Sequence, residues 1–146
     1  MRSTVKEILD EKGGTVWTMN SDESVYDALV KMSKKDIGAL CVMENGKFAG
    51  IFTERDYARK VVLFGKSSKE STIGDLMTRE VAVINQDTTI EECMTLMTKK
   101  RVRHLPVMEG DKFIGIISIG DVVNRIIKDQ ELTIKNLEDY IYGKPS

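Results

Sequence analysis

The sequence predicts a mixed α/β fold built from two tandem β-α-β-β-α units, and three observations carry that expectation. Shifted by 65 residues, TVWTMNSDESVYDALVKMSKKDIGALCVMENGKFAGIFTERD (15–56) aligns without a gap on EVAVINQDTTIEECMTLMTKKRVRHLPVMEGDKFIGIISIGD (80–121). In each copy two apolar runs flank a two-residue turn, Asn45-Gly46 or Gly110-Asp111, which suit type I′ and II′ hairpins. In each copy the apolar period also changes from strand-like to helical just after Gly-Ile-apolar-Thr/Ser-x-x-Asp, at GIFTERD (50–56) and GIISIGD (115–121). Two copies of this length make a duplicated domain, not a solenoid.

The elements follow in order. VKEIL (5–9) and IGDLM (73–77) are amphipathic turns placed just before each unit. VWTM (16–19) and VAVI (81–84) are β-rich runs, and SDES or QDTT then supplies a helix cap. Val25, Ala28, Leu29 and Met32, and Ile90, Cys93, Met94 and Met97, each trace one helical face. The hairpins LCVM/KFAGIF and LPVM/KFIGII come next, followed by helical spacing through Tyr57, Val61 and Val62 or through Val122, Val123, Ile126 and Ile127. GKSSKEST (65–72) reads as a linker, and DQELTIKNLEDYIYG (129–143) as a last helix. The expected divisions are therefore unit 1 over 1–64 with its helical lead-in, a linker at 65–72, unit 2 over 73–128 and a helical tail at 129–146.

Composition narrows the function classes. With 41% apolar residues the chain can bury a sizeable interior, and 22 basic against 23 acidic side chains give no global field toward nucleic acid or anionic lipid. Cys41 and Cys93 stand far apart, outside any disulfide, redox or zinc spacing, and suit a reducing cytoplasm. No apolar run has the length of a signal peptide core or a membrane span, so a cytoplasmic protein is expected. No P-loop, no Gly-x-Gly-x-x-Gly after a strand and no metal-ligand cluster is present. The two cysteines and the methionines at repeated positions read as core.

Thr53-x-x-Asp56 and Ser118-x-x-Asp121 have two readings. A hydroxyl at an N-cap with an acid three residues on is a capping box. The same helix N-terminus can offer N–H groups and a hydroxyl to a phosphate, and its carboxylate can accept the hydroxyls of a ribose. The run Lys99-Lys100-Arg101-Val102-Arg103-His104 is either a solvated basic helix end or a phosphate site, in which Arg103 is the better ligand because its planar fork bonds two oxygens. His104, the only histidine, lacks partners for metal binding or general base chemistry; a hydrogen bond to phosphate or backbone and a purely structural role stay open.

The tandem β-α-β-β-α units, the Gly-h-h-Thr/Ser-x-x-Asp endings and HLPVM ahead of a hairpin resemble the cystathionine β-synthase (CBS) domain, from about residue 5 to residue 128. The resemblance implies two units packed sheet against sheet about a pseudo-twofold axis, with two clefts that bind adenine nucleotides and with Asp56 and Asp121 as ribose ligands. It places Arg103 and His104 at the mouth of one cleft, facing Thr53 and Asp56 of the other unit. That main cleft is expected to comprise Thr53, Arg55, Asp56, Arg59, Val81, Val83, Arg103 and His104. The second is expected to comprise Thr15, Trp17, Ile37, Gly38, Ser118 and Asp121, with Trp17 as a stacking face or an ordinary half-buried aromatic. Ile37 and Gly38 stand where the other repeat has Val102 and Arg103, so the second cleft should lack phosphate-binding charge.

The resemblance implies a regulatory module that binds AMP, or alternatively NAD(H), senses energy or redox state and changes the behaviour of a partner protein. A homodimer is expected. A ligand-free interaction scaffold is the other alternative. Catalysis is not expected, since a barrel of the dehydrogenase type needs about 250 residues. RNA binding through the 99–104 patch lacks interleaved aromatics.

Overall fold

The computed structural model describes residues 3–13 and 16–143. Thr15, expected in the second cleft, lies outside them. The element order is α1 (Val5–Lys12), β1 (Thr18–Asn20), α2 (Val25–Lys35), β2 (Ala39–Glu44), β3 (Lys47–Thr53), α3 (Glu54–Asp56) continuing into a π-helical segment (Tyr57–Val62), α4 (Ile73–Leu76), α5 (Ile90–Lys100), β4 (His104–Glu109), β5 (Lys112–Ser118) and α6 (Ile119–Tyr142).

Duplication in sequence becomes pseudo-symmetry in space. The hairpins β2-β3 and β4-β5 pair in the same register and carry a bulge at the same place, Val42/Met43 and Val107/Met108. Asn45 and Gly46 both take positive φ, as a type I′ turn requires. Phe48 and Phe113, which are repeat mates, stack with ring centroids 5.5 Å apart and planes 14° from parallel. Two equivalent side chains can meet this way only close to a twofold axis, so the hairpins face each other across it.

The units differ at their first strand. Thr18, Met19 and Asn20 pair in parallel with Cys41, Val42 and Met43, whereas VAVI keeps only the bridge Ile84–Val107. That bridge is the repeat mate of Met19–Val42, so register is retained and length is lost. Pro106 replaces Cys41 and has no N–H to give the ladder. One sheet therefore has three strands and the other two.

Packing departs from covalent order. Val5 and Ile8 of α1 are buried with Ile84, Ile90, Cys93, Leu105, Val107 and Ile117 in the core of unit 2, not of unit 1. Ile73, Leu76 and Met77 are buried with Val25, Leu40, Val42 and Phe52 in the core of unit 1. Each lead-in crosses to the other unit, where its backbone is tied down: the Val5 N–H donates to the Thr88 carbonyl at 2.9 Å and the Ile73 N–H to that of Glu23 at 2.9 Å. The sequence places each turn before a unit but not against a core, because an apolar face specifies burial without specifying a partner.

The crossing explains the repeated Gly-Ile. A Cβ on Gly50 would sit 2.5 Å from the Thr78 carbonyl oxygen, in the segment that pairs Thr78 with Ile51. A Cβ on Gly115 would meet only the flexible end of Leu9, at 2.9 Å. Gly50→Ala should therefore cost about 2 kcal/mol or more and Gly115→Ala clearly less, read as denaturant midpoints at constant m-value.

α6 runs unbroken from Ile119 to Tyr142, so the expected seam between unit 2 and the tail at 128/129 lies within one helix. Arg125 fastens its first turns to α1 through Glu7 and Glu11, at 3.0 and 2.7 Å, and to Asp129 on its own helix at 3.3 Å.

Candidate functional site

Two clefts open between the units. The first, of about 750 Å³, is lined by Thr53, Arg55 and Asp56 of unit 1 and by Val81, Arg103 and His104, with Gly38, Glu54, Thr78, Glu80 and Lys100 among the remaining walls. Six of the eight residues expected there are brought together. Arg59 and Val83 are not. Arg59 is exposed on the π-helical segment, where Lys60 is the cation that folds back onto Asp56. Val83 is exposed and lines a separate open groove beside Thr88 and Thr89, because its stretch is not a continuous strand that would hold it in alternation with Val81.

Asp56 is 7% exposed, and its surroundings explain how a charge stays there. Oδ2 accepts from the Thr53 N–H at 3.0 Å and the Thr53 hydroxyl at 3.2 Å, while the Asp56 N–H donates to Thr53 Oγ1 at 3.1 Å. This is a complete capping box. Oδ1 accepts from the Thr78 hydroxyl at 2.9 Å and pairs with Lys60 Nζ at 3.1 Å. Ser118 and Asp121 form the matching box at the start of α6. Capping is thus a fact of both motifs; at Asp56 all four acceptor positions of the carboxylate are filled by Thr53, Thr78 and Lys60, so a ligand hydroxyl binds there by displacing the Thr78 hydroxyl or Lys60.

The opposite wall comes from the end of α5. Arg101 closes that helix in the left-handed conformation, φ 54°, and the chain then turns through Arg103 into β4. Arg55 donates to the Arg101 carbonyl at 2.9 Å, clamping the two units across the cleft mouth. Arg103 is exposed and has no ion-pair partner among the described residues. Its guanidinium is available to an anion.

The second cleft, of about 710 Å³, brings together Trp17, Ile37, Gly38, Ser118 and Asp121 as expected. It also holds a cation that the sequence did not disclose. Lys12, carried across by α1, donates to Asp121 Oδ2 at 2.9 Å and to the Ile116 carbonyl at 3.0 Å. Beside the expectation that this cleft lacks phosphate-binding charge stands one lysine, already paired with a carboxylate. Lys12 is the one cation among the lining carboxylates Asp10, Asp36 and Asp121 of the second cleft, whereas Arg55, Lys100 and Arg103 balance Glu54, Asp56 and Glu80 in the first. The first cleft is the more hospitable to phosphate. Trp17 is 36% exposed, with Lys35 Nζ 4.1 Å from its ring centroid, so one ring face already holds a cation.

Gly38 and His104 line both clefts. A Cβ on Gly38 would stand 2.8 Å from Glu54 Oε1, and His104 Cε1 would be 3.8 Å away. Burial pushes the His104 pKa down, opposed by the Asp121 charge and assisted by Lys12 and Arg103. At neutral pH the ring is an uncharged donor and acceptor. The folded chain holds the His104 proton less tightly than the unfolded chain, whose ordinary value is 6.5. Just below pH 6.5 the unfolded state therefore binds more protons, and stability falls as pH falls until folded His104 is protonated too. His104→Gln should flatten the stability profile in that window, seen as a smaller change in urea midpoint between pH 7 and the acid side.

Burial pushes the Cys41 thiol up to about 12 and the Cys93 thiol up to about 11, so neither is a nucleophile at neutral pH. Among the described residues no cluster of three or more His, Cys, Asp or Glu is placed to hold a metal ion. Among the same residues no helix is long and apolar enough to cross a membrane. Lys60, which pairs with Asp56, had a local signal in its i,i+4 spacing from that residue. Lys12 and Thr78 arrive only through the crossed lead-ins.

Comparison with known proteins decides the family. The CBS domain matches residues 5–63 and again residues 73–128. The chain belongs to the CBS domain family. Pairs of CBS domains are regulatory, ligand-binding modules, and their ligands are generally adenosine derivatives. The chain is 37% identical to the CBS domain-containing protein CBSX3, mitochondrial, of Arabidopsis thaliana, over 97% of this chain and 73% of that one. A solved protein with CBS domains from Burkholderia ambifaria MC40-6 superposes with a TM-score of 0.83 at 48% identity, covering 88% of this chain and 96% of the other. The inosine-5'-monophosphate dehydrogenase of Nitrosopumilus maritimus is 34% identical over 74% of this chain, but that stretch is only 22% of the enzyme. The CBS pair described here is thus similar to these CBS-domain proteins over 73% and 96% of their length and to an enzyme over 22% of its own.

Proposed function

We propose that this CBS pair is a regulatory adenine-nucleotide-binding module that takes AMP in the cleft between Thr53-Asp56 and Arg103-His104. The observation that carries this reading is that a capped helix start with an acidic residue from one unit faces, across about 750 Å³, an arginine from the other that has no ion-pair partner among the described residues. The carboxylate of Asp56 suits ribose hydroxyls, Arg103 suits a phosphate, and Val81 with Ala82 supplies an apolar wall for a base. A ligand touching both units favours one relative orientation by its differential affinity, and a partner protein reads that orientation; no bond is broken. We assign the pair to the reducing cytoplasm, consistent with two buried free cysteines, and take its working form to be a homodimer. Covalent units at 1–64 and 73–128 joined by 65–72 remain the proposed division, with exchanged lead-ins.

NAD(H) is a second reading with its own support. Because Gly38 and His104 belong to both clefts, a dinucleotide can pass from one to the other along their shared wall.

The test is a thermal shift of the purified protein against AMP, ADP, ATP, NAD and NADH. A one-site ligand at a hundred times its Kd adds about 2.7 kcal/mol, on the order of 5 to 10 °C for a chain of this size. A rise with AMP and with none of the larger nucleotides supports the first reading, and a rise confined to NAD or NADH the second. Silence from all five on protein shown to be free of bound nucleotide returns both Thr/Ser-x-x-Asp motifs to a capping role alone.

A further inference from the structure

We propose that the second half of α6 is the self-association element of this protein, forming a parallel two-stranded coiled coil with the same helix of a second copy. The inference specifies the surface of the proposed homodimer and does not depend on nucleotide binding. Asp129, bonded to Ser3 and Arg125, is the last residue of α6 with a hydrogen bond to the body among the described residues. Residues 130–142 project about 20 Å beyond it. A free helix of that length is marginal in water, yet this one continues to a left-handed cap at Gly143, whose N–H donates to the Asp139 carbonyl. It needs a partner along its side.

The apolar residues of that side fall in one seam. Val123, Ile127, Ile134, Leu137 and Ile141, with Gln130 between, alternate by three and four residues, and the five apolar members are exposed, from 43% at Val123 to 71% at Ile141. This is a heptad pattern with β-branched isoleucine at every a position from 127 onward and leucine at the d position 137, the combination that favours two parallel strands. Gln130 is the single polar interruption of the seam, at a d position. Leu132 is exposed on the opposite side and takes no part. At about 100° per residue the seam is centred roughly 110° round the helix from Val122, Arg125 and Ile126, which hold α6 to the body. One helix can therefore satisfy both contacts.

Charge chooses the partner and its direction. The e positions flanking the seam are Glu131 and Glu138, and the g positions are Thr133 and Tyr140. Antiparallel helices would set e against e and bring the glutamates together. Parallel helices set g against e, placing each glutamate beside an uncharged residue. A second copy in parallel orientation is the occupant that this pattern accepts.

The experiment is sedimentation of the full chain at several concentrations, compared with Ile134→Asp/Leu137→Asp and with Leu132→Asp as a control on the far face. The expected result is a dimer for the unaltered chain and the control, with the dimer dissociation constant of the seam variant raised roughly a hundredfold at unchanged thermal stability of the body. Ile141→Cys is expected to cross-link under mild oxidation, because the parallel arrangement sets it against its own copy; in the antiparallel one it would lie about 20 Å away. A monomeric unaltered chain overturns both the homodimer and this interface. A dimer that the seam variant leaves intact, or a failure of Ile141→Cys to cross-link, overturns the interface alone and returns self-association to another surface.

Discussion

Ile8→Ala should lower stability by about 3 kcal/mol and should loosen the second unit, not the first. Ile8 is buried against the far core, and truncating an isoleucine in a close-packed interior removes both transfer energy and packing contacts. Covalently it stands next to unit 1. Native-state hydrogen exchange separates the two possibilities: amides of β4, β5 and α5 should lose protection before those of β2 and β3. Leu76→Ala should do the reverse, opening unit 1 from a lead-in that belongs to unit 2 by sequence. Equal loss in both units for both variants would mean that the cores unfold as one body.

Asp56→Ala should cost on the order of 3 kcal/mol, or roughly 10 °C, because it strands several polar groups at once. The Thr53 N–H and the Thr53 and Thr78 hydroxyls lose their acceptor around a carboxylate that is almost closed to water, while Lys60 is more open and keeps Thr78 Oγ1 at 3.2 Å. Asp121→Ala should cost about 1 kcal/mol, since its side chain is more open and Lys12 can turn to solvent. Asp56→Asn keeps an acceptor for the cap and should recover more than half of the loss. Chemical denaturation of the three variants gives these values directly.

The repeat made most of the fold legible. A gapless alignment, two hairpin turns and two capping sequences are local features, and each unit formed where they indicated. Three things were not local. Pro106 shortened the first strand of unit 2 through a missing donor, which the sequence carries but which only the ladder register makes consequential. The lead-ins crossed because an apolar face states that it will be buried and not against what. The winding of Tyr57–Val62 as a π-helix, against the ordinary α-helical start of α6, follows no periodicity difference in the sequence.

The candidate site was legible to the same extent. Thr53 and Asp56 were read from a motif that recurs at fixed spacing, Arg103 and His104 from a basic run found in one copy only and placed at a cleft by the resemblance, and the four converge on one cleft. Lys12 and Thr78 reached the clefts on the crossing segments, and neither has a motif of its own. Arg59 was chosen for its charge and stands one residue from the lysine that the backbone winding selects.

The central claim is that one cleft binds an adenine nucleotide through Asp56 and Arg103, and calorimetric titration of AMP into the unaltered protein, Asp56→Asn and Asp121→Asn tests it most directly. The account predicts one tight site per chain, lost in Asp56→Asn and retained within a few-fold in Asp121→Asn. Equal weakening by both substitutions, or unchanged binding in Asp56→Asn, would contradict it.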